Sequence, residues 1–406
     1  MTMTRRDLLK TLAVSAAAAP FIGGKAFAAG NAALSDIVVG AAQPMTGVFS
    51  FAGIQMDAGI RDYCAWRSEN GGILGRKMRY VAEDDGFKVD QAVPIFKKLM
   101  AEVKPSFFYC SGTPCVRAIN QDVVQTGSVI TTSTSCAQLL TDTSQFPQHF
   151  LSAPTYKVQH EILMEYIAKQ GSGGSKPSVA LVYSDTEFGR DGIPGSKARA
   201  EKLGIPVVLE IITKQGGVGT EVAPEVARLR RAKPDYVIFQ GYVTSPIPEF
   251  VRQMREAGMK TKVAGTIWSM DYPTYTALAN LNEQWMGVLP YRYPYESEAK
   301  QSTAIANIRA YVAKNRPDVK DISVFYVGSW FSGMAFAEIA ERTLKAKKEL
   351  TLANMRATME SIRGWDAGGV MGVPVDLSGH QAPSGRVYQY SPSTKRMEPV
   401  SDWIRS

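Results

Sequence analysis

Two hydroxyl-rich runs, Ser111-Gly112-Thr113 and Thr131-Thr132-Ser133-Thr134-Ser135, carry the clearest chemistry in this sequence. Each follows an apolar run of strand type and lies near a helix start, so hydroxyls and backbone amides are offered together. Short neutral donors of that kind can hold a carboxylate without a lysine or arginine. Ser and Thr at such places also serve as plain helix caps, and either run taken alone fits that role. A second place for an anion is the loop 43–53, which holds Pro44, Gly47 and Gly53. A helix beginning near Gly53 would point its free first-turn amides back at that loop. Phe49 and Phe51 lie in the same loop.

Catalytic chemistry finds little support. The three histidines, His149, His160 and His380, are far apart and join no spacing typical of metal or haem ligation. There is no G-x-S-x-G, no P-loop and no G-x-G-x-x-G. Gly216-Gly217-Val218-Gly219 follows no strand-to-helix motif and reads as a turn. The chain is therefore expected not to be an enzyme and to use no cofactor and no metal.

Apolar runs of strand length stand at 37–41, 78–82, 106–110, 128–132, 179–183, 207–212, 236–240 and 262–265. Helical stretches fall between them at 54–69, 91–103, 116–125, 158–169, 191–203, 224–231 and 247–257. Such alternation predicts an α/β fold of doubly wound, mainly parallel sheets flanked by helices. Right-handed crossovers place all strand C-terminal ends on one rim, where ligands bind. Both hydroxyl runs belong to that rim. The chain leaves the first sheet near 148–156, and a Gly/Ser-rich turn at 171–175 precedes the first strand of a second. A hairpin is expected around 386–399.

At 406 residues the chain is long enough for two domains. It opens with Thr4-Arg5-Arg6-Asp7-Leu8-Leu9-Lys10, an Ala-rich region from Leu12 to Ile22, and Ala26-Phe27-Ala28. Those three parts read as a twin-arginine signal peptide over 1–28, which sends a folded protein to the bacterial periplasm. Its apolar region is too short for a comfortable membrane span, and no other run reaches that length. The formal net charge of +8 owes part to Arg5, Arg6, Lys10 and Lys25. The other Lys and Arg are scattered without an aromatic-basic motif, so nucleic acid is not an expected partner. A monomer is expected. Cys64 sits on a helix four residues after Ile60 and reads as a buried thiol. Cys115 and Cys136 follow successive strands, and either a bridge between them or buried free thiols fits.

The loop PMTG at 44–47, the segment NGGILGRKM from Asn70 to Met78 and the EDD at 83–85 act in combination. Together they resemble the opening of the type 1 periplasmic substrate-binding proteins of ABC transporters, in the branch that includes the Leu/Ile/Val-binding proteins. Gln91-Ala92-Val93, Glu187-Phe188-Gly189-Arg190, Lys233-Pro234-Asp235 and 255–261 also match family segments, so the resemblance runs from Asp36 to about Val400. It implies two lobes, 36–151 plus 290–365 and 152–289 plus 366–406, with further crossings near 287–295 and 365–372. A helix at 325–345 would return to the first lobe. Ligand would bind in a cleft between the lobes that closes by a hinge. The implied partners are a small carboxylate-bearing molecule and an inner-membrane ABC permease. A periplasmic sensing module that presents ligand to a receptor is the alternative, because it would share fold and cleft.

In relatives that bind amino acids, the first loop supplies a serine and the second a carbonyl, an amide and a hydroxyl. Those roles fall on Ser111 beside Gly112, and on Ser133, Thr134 and Ser135. Phe188 and Tyr242 match aromatic positions of the second lobe, and Tyr156 lies at the first crossing; core packing is the other reading of each. Relatives also place an acid after the strand 262–265, where it pairs with the ligand's ammonium. Here Thr266-Ile267-Trp268-Ser269 stands instead, with Asp271 the nearest acid and Asp185 and Glu187 others near the cleft. A buried ammonium without a carboxylate partner is expensive. Unless Asp271 reaches it, the ligand is an aromatic or aliphatic acid. Phe49, Phe51, Phe188, Tyr242, Ile267 and Trp268 would then wall it. The relatives' disulfide joining the loop after EDD to the loop after the third strand is not expected, because Phe87 stands opposite Cys110.

Overall fold

The computed structural model describes residues 34–405, apart from 48, 172–174, 215–221, 280, 282 and 383. The leader expected at 1–28, residues 172–174 of the Gly/Ser turn and the glycines at 216–219 lie outside the described residues. From Ser35 onward the chain forms one compact unit.

The first sheet holds β1 (Ile37–Gln43), β2 (Met78–Asp84), β3 (Phe107–Cys110), β4 (Ile130–Ser133) and β5 (His149–Leu151). Their order is β2-β1-β3-β4-β5, and every neighbouring pair is parallel. β1, β3 and β4 are buried along their whole length, as strands covered on both faces must be. The crossovers run through α1 (Ser50–Glu69), α2 (Val89–Glu102) and α3 (Gly112–Thr126).

The chain then passes through α4 (Tyr156–Ala168) into β6 (Val179–Ser184), α5 (Glu187–Asp191), α6 (Ile193–Leu203) and β7 (Val207–Thr213). It continues through α7 (Val222–Ala232), β8 (Tyr236–Gln240), α8 (Ile247–Glu256), β9 (Lys262–Gly265), α9 (Tyr272–Ala279) and β10 (Met286–Leu289). Beyond these come α10 (Thr303–Asn315), α11 (Val324–Lys345), α12 (Leu352–Ser361), β11 (Ser384–Ser391), β12 (Arg396–Pro399) and β13 (Ile404–Arg405). The second sheet runs β12-β11-β10-β9-β8-β6-β7, with β13 on β11. β6 to β10 pair in parallel; the hairpin β11–β12 is antiparallel.

After β10 the chain returns to the first sheet, where α11 lies along α1. Two glycines permit the approach. A Cβ on Gly59 would stand 2.3 Å from the Tyr326 carbonyl oxygen, and one on Gly333 would stand 2.6 Å from the Tyr63 ring. Arg67–Glu341 at 2.7 Å and Arg316–Asp62 tie the rest of the same face.

The alternation read from sequence is the architecture found, with three departures. Strands β5 and β10 occupy the segments expected to be plain crossings. They are too short for an apolar run to stand out from the connections around them. Helices α5, α9, α10 and α12 and the short strand β13 were not expected. Finally, α1 begins at Ser50, not near Gly53. Gly53 serves contact: a Cβ there would lie 1.9 Å from the Pro44 carbonyl oxygen. The first-turn amides expected to face an anion are partly spent, since Ser50 donates to Gly47, and Ala52 and Gly53 both donate to Phe49.

Candidate functional site

The parallel strands end on a common edge, and the hydroxyl loops follow two of those ends. Ser111 leaves β3 buried, and its hydroxyl donates to Gln43 Oε1 at 2.6 Å, at the end of β1. Gly112 opens α3 with φ +79, and a Cβ there would meet the Phe87 ring at 2.9 Å. Only glycine suits both the left-handed backbone and that contact. The Gly112 amide donates to Thr134 Oγ1 at 3.3 Å, and Thr113 and Ser135 share a hydrogen bond between hydroxyls. Ser133 Oγ lies 3.3 Å from His149 Nε2, and burial drops His149 to about 3, so the ring is neutral. Ser111, Gly112, Ser133, Thr134 and Ser135 are thus brought to one strand edge, with the two loops laced together.

The same loop carries a disulfide, Cys110–Cys115, with Cα atoms 6.4 Å apart. Cys64 and Cys136 are buried free thiols. The bridge considered between Cys115 and Cys136 is therefore not the one formed. The turn through Ser111 and Gly112 folds the first turn of α3 back beside the strand end, so Cys115 meets Cys110 instead.

Aromatic side chains adjoin the hydroxyl loops in a continuous series. The Tyr156 amide donates to the Cys136 carbonyl at 2.8 Å, which fixes α4 to the residue after Ser135. The Tyr156 ring packs on Phe188 at 4.9 Å, and its hydroxyl accepts from Trp268 Nε1 at 2.7 Å. Trp268 stacks on Phe325 at 5.2 Å with planes 6° apart, and Phe325 meets the edge of Phe51 at 6.3 Å. Phe51, Tyr156, Phe188 and Trp268 are therefore joined, and Phe325 is the link that sequence reasoning missed. Its only sequence signal was its place at the start of the returning helix.

Three further expected wall residues make contacts outside that aromatic series. Phe49 packs on Phe87 at 4.3 Å, the ring that Gly112 also approaches. Tyr242 is buried with its hydroxyl 2.5 Å from Thr213 Oγ1 and its ring edge-on to Phe239. Ile267 is fully buried, and its amide donates to Gln159 Oε1 at 3.0 Å.

Each nearby acid already has a partner. Asp271 accepts from Ser323 Oγ at 3.1 Å and the Val324 amide at 3.2 Å, so it holds the start of α11. Asp185 pairs with Arg190 at 2.7 Å, and Glu187 with Arg117 at 3.0 Å. Asp191, which sequence reasoning did not single out, accepts the Gln138 amide at 3.0 Å. Burial pushes its carboxyl up to about 6 against that hydrogen bond. Arg117–Glu187 joins α3 to α5, and Gln138–Asp191 joins the segment after β4 to α5. Open grooves of about 980 and 680 Å³ lie elsewhere, lined by segments that precede β8 and β9, at the opposite strand edge. Among the described residues no group of three His, Cys, Asp or Glu could hold a metal, and no helix is long and apolar enough to cross a membrane.

The sequence profile described as periplasmic binding protein matches residues 36–393. An amino acid binding protein of Pseudomonas aeruginosa is 25% identical over 233 residues, 57% of this chain and 60% of that protein, so the match spans about three fifths of its length. A branched-chain amino acid ABC transporter structure from Thermus thermophilus with bound valine superposes with TM-score 0.78 at 21% identity, covering 92% of this chain and 97% of that one. A solute binding protein of an ABC transporter from Rhodopseudomonas palustris, in complex with 3,4-dihydroxy benzoic acid, gives TM-score 0.72 at 20% identity, covering 91% and 97%.

Proposed function

The chain belongs to the periplasmic binding protein family, a family of solute-binding proteins and not of enzymes, and on that footing we propose that it captures a small carboxylate for an ABC importer. The lobes we propose are 36–151 plus 290–365 and 152–289 plus 366–406, closing on the ligand by a hinge. Residues 1–28 are proposed as the twin-arginine export signal, and an inner-membrane permease as the partner that receives the ligand.

The observation that carries the ligand class is the pairing at the strand edge. Neutral hydroxyl donors adjoin a series of aromatic rings, and the acids Asp185, Glu187 and Asp271 are all engaged by the protein itself. Such a site suits an acid with an aromatic or aliphatic body better than a zwitterion, whose ammonium needs a carboxylate. Relatives of the same fold are described with valine and with 3,4-dihydroxy benzoic acid, so both classes belong in the test.

A second reading, an amino acid ligand, draws on Asp191, the buried acid bound to the loop that follows Ser135. Thermal-shift measurements with amino acids, aromatic acids and aliphatic acids separate the two, because a ligand raises the melting temperature by mass action. Leucine, isoleucine or valine shifting the protein while the plain acids do not would overturn the first reading. Loss of that shift in Asp191→Asn would then assign the ammonium partner. Ser135→Ala should weaken carboxylate binding by about 1–3 kcal/mol. A sensing role in place of transport predicts ligand binding that never stimulates the reconstituted transporter's ATPase.

A further inference from the structure

We infer that Gln43 supplies the side-chain amide donor for the ligand's carboxylate, and that Ser111 acts by holding that amide in place. The inference rests on the carboxylate reading above and deepens it. Gln43 is the last residue of β1 and is fully buried. Its Oε1 accepts the Ser111 hydroxyl at 2.6 Å, while Nε2 is buried with no hydrogen-bond partner among the described residues. A buried polar group without a partner is rare and asks for a reason. A strand end that needed only to pack would be served better by leucine or methionine.

The donor count at this edge sharpens the assignment. Ser111 has a single hydroxyl proton, and it points at Gln43, so Ser111 offers a ligand only lone pairs. The Gly112 amide is committed to Thr134 Oγ1. Thr113 and Ser135 spend one proton between them, and Ser135 Oγ also accepts the Ala137 amide at 3.3 Å. The two N–H bonds of Gln43 Nε2 are therefore a buried, uncommitted pair of donors at this edge. They are neutral, and they sit on the same amide that Ser111 anchors. A carboxylate accepts from such a group without the desolvation cost of meeting a buried cation.

The test uses the full mature chain and two acid–amide pairs, benzoate with benzamide and isovalerate with isovaleramide. Gln43→Met keeps the volume and removes both polar ends. The apo variant should melt close to the wild-type temperature, because removal of the unpartnered Nε2 donor offsets the loss of Ser111's acceptor. Its affinity for the acid that wild type binds should fall at least about tenfold, the loss expected for a hydrogen bond to a charged group. Affinity for the matching amide should hardly change. Gln43→Glu, which sets a carboxylate against the ligand's, should bind the acid less well still. Unchanged acid affinity in Gln43→Met overturns the assignment. So does a variant that melts lower and loses acid and amide equally, which is the mark of a structural residue. Wild-type protein that takes amides as tightly as acids refutes the carboxylate reading, whereas wild type that prefers the acid beside an unaffected Gln43→Met refutes the Gln43 assignment alone. Binding neither acid at millimolar concentration overturns both.

Discussion

The hydroxyl of Tyr156 holds Trp268 parallel to Phe325, and Tyr156→Phe isolates that one link. The substitution keeps the ring on Phe188 and the amide bond to Cys136, and removes only the acceptor 2.7 Å from Trp268 Nε1. The indole N–H is then left without its partner in a half-buried setting. An interaction of this kind costs about 1–3 kcal/mol when broken from one side. At about 1.3 °C per kcal/mol for a chain of this length, the melting temperature should fall by about 1–4 °C. Freed from Tyr156, Trp268 should tilt off Phe325 and meet water. Intrinsic tryptophan emission, compared with that of Trp268→Phe, should therefore shift to the red. A double-mutant cycle of the two positions should give a coupling of about 0.5–3 kcal/mol. Equal melting temperature and equal emission in Tyr156→Phe would refute the claim that this hydroxyl positions the tryptophan.

Three further outcomes are expected. Gly112→Ala must place a Cβ 2.9 Å from the Phe87 ring at φ +79, costing about 1–2 kcal/mol for the left-handed backbone and about 1–3 kcal/mol for overpacking; a melt indistinguishable from wild type would rule this out. Burial pushes the carboxyls of Asp85, Asp191 and Asp271 each up to about 6. Each of these groups binds its proton in the folded chain before it does in the unfolded chain, so its own contribution to stability grows as pH falls from 7 towards 5, against the buried neutral His149 and His160, which work the other way. Asp271→Asn should therefore lose more melting temperature relative to wild type at pH 5.5 than at pH 7.5, and an equal offset at both pH values contradicts that sign. Cys115→Ala opens the bracket around residues 111–114; because the loop it closes is short, melting should change little while ligand affinity falls, and unchanged affinity would deny the bridge a role in ordering the loop.

What could be read from sequence was what a local pattern carries. Strands buried on both faces announce themselves as apolar runs, so β1, β3, β6 and β8 were visible at nearly their true bounds. β5 and β10 were not, because three or four residues show neither run nor alternation. The hydroxyl loops were visible by residue type; their mutual hydrogen bonds are contacts across some 22 positions and leave no local trace. Phe325 and Asp191 were missed for the same reason. One joins the aromatic series only when α11 returns, and the other meets the loop after Ser135 only because α5 packs there. The cysteine pairing was missed because it depends on the direction of the turn at Gly112, which the spacing of the cysteines does not record.

The return of α11 onto α1 has a consequence for synthesis. Arg67 and Glu341, which meet on that face, are 274 positions apart, and Tyr109 and Ser329, joined in the interior at 2.6 Å, are 220 apart. At ribosomal speeds of roughly 5–20 residues per second, α1 waits many seconds before its partner exists. During that interval Tyr63, Trp66 and Gly59 present an uncovered face, although all five strands of the first sheet have been made. Contacts of such long range are formed late and slowly. That face of α1 therefore stays uncovered from the emergence of β5 until the emergence of α11.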